Sequence, residues 1–102
     1  MIPDSDIRFI KQVLMPYAGV QKLFLAYSPS RACYPDIWVE KDGVPKITVT
    51  AEWRRQSTVE RRKRLVHEVL HVIGMRHNES IGYSTIPSRD SYSMKVYRRL
   101  HG

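Results

Sequence analysis

The chain has 102 residues, 42% of them hydrophobic and 26% charged, which suits a single globular domain. Seventeen Lys and Arg against 10 acids give a net charge of +7, a balance that attracts acidic surfaces or nucleic acid without specifying a fold. No apolar run approaches the ~20 residues of a membrane helix, Asp4 and Asp6 stand where a leader would be basic, and the single Cys33 cannot form an internal disulfide, so a cytoplasmic setting without membrane association is expected.

Asp4, Ser5 and Asp6 suit a helix N-terminus, and Ile7, Ile10, Leu14 and Tyr17 follow at helical spacing. They predict an N-terminal helix ended by Pro16 and Gly19. Residues 22–27 are rich in strand formers, and Ser28, Pro29 and Ser30 break that run; a loop to Pro35 follows. Residues 36–40 and 46–53 flank Asp42-Gly43, a hairpin signal. In the second arm Ile47, Val49, Ala51 and Trp53 alternate with Thr48, Thr50 and Glu52, the pattern of a half-buried strand with one polar face.

Ser57-Thr58-Val59-Glu60 has the form of a capping box and opens the strongest helix. It runs to Met75 or just short of it, because Gly74 supplies a C-terminal stop. Val59, Val66, Leu70 and Ile73 form one apolar stripe, and Leu65, Val69 and Val72 a second. A helix with two such stripes packs between two layers and is the expected centre of the domain. An irregular stretch follows to about residue 91. Residues 94–100 then allow a short C-terminal helix with Met94, Tyr97 and Leu100 at suitable spacing.

Residues 67–77 read His-Glu-Val-Leu-His-Val-Ile-Gly-Met-Arg-His and hold three of the four histidines. His67 and His71 are i and i+4, so both imidazoles lie on one helix face and can share one Zn²⁺. Glu68 lies about 100° round the axis from His67 and about 60° from His71. It is poorly placed for the same tetrahedral shell but can reach a water there, which is the position of a general base. On a continuous helix His77 would be roughly 15 Å from His67. A sharp turn at Gly74, which tolerates positive φ, brings it back as a third ligand and leaves one position open. A chance match of the five fixed positions is on the order of 10⁻⁵ for this composition, so accidental spacing is set aside.

This segment resembles the H-E-x-x-H-x-x-G-x-x-H signature of the metzincin zinc metalloproteases. The resemblance implies one catalytic Zn²⁺ held by His67, His71 and His77, with Glu68 as general base and acid. It also implies Met94, in Ser93-Met94, as the apolar floor of a methionine-containing turn, followed by a C-terminal helix. A mixed sheet would precede the active helix, with an edge strand that binds extended peptide; residues 46–53, including Thr48, Val49 and Thr50, are the candidate. Where some relatives carry a tyrosine two residues after the methionine, this chain has Val96, with Tyr97 one position later. Tyr97, Tyr92 and Tyr83 are therefore the candidates for stabilising an oxyanion. The chain is short for that family, so a minimal lower subdomain and a shallow cleft are expected.

Two further features carry alternatives. Arg31-Ala32-Cys33-Tyr34-Pro35-Asp36 resembles a cysteine-switch segment whose thiolate caps zinc, although a buried or loop cysteine is the simpler reading. Arg54, Arg55, Arg61, Arg62, Lys63 and Arg64 flank the start of the zinc helix. They form either a solvated basic face or a surface for an acidic peptide or nucleic acid. The expected architecture is an α+β, zincin-like single domain over residues 1–102. Its N-terminal helix and small mixed sheet of three or four strands precede a central zinc helix and a C-terminal helix. The expected function is zinc-dependent hydrolysis of peptide or protein substrates. The alternatives are a non-catalytic zinc module that binds nucleic acid and a protease recruited by nucleic acid.

Overall fold

The structure is a computed structural model and describes residues 1–29, 36–74 and 99. Cys33, His77, Tyr83, Tyr92, Met94, Tyr97 and the expected C-terminal helix lie outside these, apart from helical Arg99.

The N-terminal helix is built in three parts: α1 (Asp4–Phe9), a π-helical turn (Ile10–Leu14) and α2 (Met15–Ala18). Pro16 does not end it, contrary to the sequence expectation. A proline inside a regular helix lacks a donor and crowds the carbonyl four residues back. Here the preceding turn widens, with Met15 N–H donating to Ile10 C=O, and Pro16 falls in the first turn of the next segment. The stop is Gly19, at φ +70°. Gly19 N–H donates to Pro16 C=O and Val20 N–H to Met15 C=O at 3.2 and 2.9 Å, the bond pair of a Schellman cap. Phe9, Ile10 and Leu14 enter the core, whereas Tyr17 is exposed.

Three strands form a mixed sheet in the order β1-β3-β2: β1 (Phe24–Ser28), β2 (Ile37–Glu40) and β3 (Lys46–Thr50). β1 runs parallel to β3, and β2 antiparallel to it with Glu40 opposite Lys46. The hairpin between them contains the expected Asp42-Gly43 turn, with Gly43 at φ +76°. β3 is not half-buried: Thr48 and Thr50, on its polar face, are 5% and 1% exposed. Thr50 tolerates this because its Oγ1 donates to Asp36 C=O at 2.8 Å, which removes the cost of an unpaired buried hydroxyl.

The second arm also ends earlier than its alternation suggests. Residues Ala51–Arg54 form a helical turn, α3, which Thr50 caps by accepting Trp53 N–H. Trp53 thereby enters the core, where its Nε1 donates to Arg61 C=O at 3.2 Å. Helix α4 (Thr58–Val72) follows, capped by Ser57, whose Oγ accepts Glu60 N–H at 3.2 Å.

α4 packs against β2 and against the N-terminal helix. Leu65, Val66, Val69 and Leu70 meet Ile37, Ile47 and Val49 from the sheet and Phe9, Ile10 and Leu14 from the N-terminal helix. The ends of both predicted stripes fall outside this core: Val59 and Ile73 are exposed and Val72 is half-buried. The fold is thus a small mixed α+β domain, with α4 as its central helix.

Candidate metal centre

The register of α4 decides which of its side chains can meet. Capping at Ser57 fixes the first turn, and burial of Leu65, Val66 and Val69 fixes the rotation. His67 and His71 then fall one turn apart on a half-buried face. Their Nε2 atoms lie 3.0 Å apart, with ring centroids at 4.5 Å and ring planes at 87°. Two imidazoles on one tetrahedral zinc, each at ~2.0–2.1 Å, hold their nitrogens roughly 3.3 Å apart. The pair therefore fits a shared ion with a shift of a few tenths of an ångström. Without the ion, the same separation suits one ring N–H donating to the other ring's lone pair.

Glu68 is buried, with 8% of its surface exposed. It lies one residue along α4 from His67. Among the described residues no group of three His, Cys, Asp or Glu side chains converges on one point. The two-histidine pair is thus the part of the expected ligand set that falls within the described residues. His77, Met94, Tyr92 and Tyr97 lie outside them.

The chain leaves α4 as the sequence indicates. Ile73 N–H donates to Val69 C=O at 3.2 Å and Gly74 N–H to His71 C=O at 3.0 Å. Gly74 then adopts φ +100°, outside the comfortable range of residues with a Cβ. A second donor reaches the same His71 carbonyl: Lys41 Nζ, from the β2–β3 hairpin, at 2.9 Å. Lys41 carries no sequence signal for this contact, because 30 residues separate it from His71 and no local pattern marks the meeting.

The topology corrects one expected site. The resemblance implies a substrate-binding edge strand at Thr48, Val49 and Thr50, but β3 is the central strand and is paired on both sides. Its ladder groups are already used, so no peptide can add there. Among the described residues the edges are β1 and β2, and of these two β2 makes the more extensive contact with α4.

The basic cluster is largely tied into the fold. Arg61 and Arg62 reach the Asp6 carboxylate at 2.9 and 3.3 Å. Lys63 pairs with Glu60 at 3.0 Å, and Arg55 with Glu52 at 3.7 Å. Arg64 Nε lies 3.3 Å from Asp36 Oδ2 but is not aligned to donate to it; its Nη1 donates to Oδ1 at 3.4 Å. These contacts draw the guanidiniums along α4 toward α1 and the start of β2. No helix among the described residues is long and apolar enough to cross a membrane.

No protein-family model, curated protein or solved structure matches this chain.

Proposed function

We propose that this chain is a zinc-dependent endopeptidase with a minimal zincin-like fold. The observation that carries the reading is the 3.0 Å separation of the His67 and His71 Nε2 atoms. It is supported by buried Glu68 between them in sequence and by the positive φ of Gly74 just beyond. In this reading His77 is the third ligand, and Met94 has the role of the apolar floor that the metzincin resemblance implies.

When bound, zinc supplies Lewis acidity for the scissile carbonyl and lowers the pKa of a water beside it. His67 and His71 would hold the ion through their Nε2 atoms, which the α4 register brings together. The Glu68 carboxylate takes a proton from the attacking water as its oxygen bonds to the carbonyl carbon. It then gives that proton to the departing amide nitrogen as the C–N bond breaks. Burial of Glu68 keeps bulk water from competing for that proton. Tyr97 or Tyr92 donates to the oxyanion. An extended peptide lies along β2, the edge strand beside α4, and pairs with its outer backbone groups.

The test compares wild type with Glu68→Gln on a peptide library, with and without a chelator, alongside metal content. The expected result is about one zinc per chain in both proteins. Cleavage should fall at least 10²-fold in Glu68→Gln, the usual weight of a general base, and stop on chelation. Equal cleavage by the two loaded proteins removes the proposal. Retained zinc without cleavage by wild type favours a non-catalytic zinc module.

A further inference from the structure

Resting on that reading, we infer that Lys41 is a positioning residue that locks the second histidine of the ligand pair from across the fold. His71 is the last residue but one of α4. The final carbonyls of a helix have no partner further along it, so this turn is the one that frays. Fraying there would separate the rings, because an i, i+4 pair meets only while both residues are helical.

Two donors oppose it at one atom. Gly74 N–H and Lys41 Nζ both bond the His71 carbonyl, at 3.0 and 2.9 Å. The first comes from the bend beyond the helix and the second from the sheet. Lys41 directly follows β2, and the Glu40–Lys46 pair closes the hairpin around it. The ammonium is also the right charge for a helix C-terminus. At the other end of β2, the Asp36 carboxylate holds Arg64. Arg64 and His71, seven positions apart on α4, are thus tethered to the two ends of one strand, and the ligand turn is held to the sheet at its far end.

The sign of one measurement separates this role from simple electrostatics. Lys41→Met removes a positive charge near a cation site, which by charge alone tightens metal binding. Loss of positioning weakens it. Cobalt(II), whose visible absorption reports coordination directly, and zinc by competition are titrated into the apo-protein. The comparison covers wild type, Lys41→Met, Lys41→Gln, Lys41→Arg and a charge control, Lys22→Met.

The expected result is about tenfold weaker binding in Lys41→Met and Lys41→Gln, the low end for groups that support a metal ligand. Lys41→Arg, which keeps a charged donor, should recover most of it, and Lys22→Met should match wild type. Equal or tighter binding by folded Lys41→Met overturns the inference. Loss of the folded far-UV spectrum in both neutral variants also overturns it, because Lys41 would then serve the whole fold. If wild type takes up neither metal, the functional reading itself fails. The two failures are therefore distinguishable.

Discussion

Asp6 has a fully buried side chain and answers two arginines at once, Arg61 at 2.9 Å and Arg62 at 3.3 Å. Each guanidinium also lies over an aromatic ring: Arg61 over Trp53 at 5.7 Å and Arg62 over Phe9 at 5.0 Å. The apolar stems and charged heads are thereby both accounted for. Replacing the carboxylate leaves two half-buried cations facing each other without their counter-charge, a loss of the kind that costs about 3–5 kcal/mol. Asp6→Ala is accordingly expected to lower the unfolding free energy by about 3 kcal/mol, the lower bound because both arginines keep some access to water. Urea unfolding at neutral pH measures it, and a loss below ~1 kcal/mol, the value of an exposed pair, would show that solvent carries the arginines instead. Arg61, Arg62 and Lys63 of the basic cluster that suggests an acidic partner are in this way committed to internal geometry.

At the scale of elements, α4 depends on its start as much as on its apolar face. Ser57 Oγ satisfies Glu60 N–H at 3.2 Å, and removing such a cap costs ~1 kcal/mol. Ser57→Ala should lower the melting temperature by about 4–8 °C for a domain of this size; an unchanged melt would mean that packing alone holds the first turn. This cap was legible in the sequence because both partners lie within four residues, and the Gly74 stop and the Asp42-Gly43 turn were legible for the same reason. The switch from β3 to α3 was not. Ile47, Val49, Ala51 and Trp53 keep the alternation of a strand through the point where Thr50 caps a helical turn, since a period of two over so few residues does not exclude a bend. Nor could the sequence separate a central from an edge strand. Strand order follows from β1 pairing in parallel with β3 across an intervening hairpin arm, a non-local choice that the pattern within β3 does not encode. The histidine pair was visible because i, i+4 spacing is local geometry, whereas Lys41 on His71 was invisible because it is tertiary.

For the molecule as a whole, the proposed site joins metal affinity to fold stability. His67 and His71 meet only in the folded register, so an ion held between them binds the native chain in preference to the unfolded one. Such a ligand stabilises by about 2.7 kcal/mol at a hundredfold excess over its dissociation constant. With ~4–8 °C per kcal/mol for a domain of this size, zinc should raise the melting temperature by about 10–20 °C. A chelator should reverse the shift. His67→Ala and His71→Ala should each abolish the zinc-dependent increment, whereas Glu68→Gln, which leaves both imidazoles in place, should retain it while losing cleavage. Calorimetry of these four proteins with zinc and with chelator checks all of this in one series. A zinc increment that survives in His67→Ala would place the ion elsewhere, and the 3.0 Å imidazole pair would then be a hydrogen bond between two helical neighbours rather than two of three ligands.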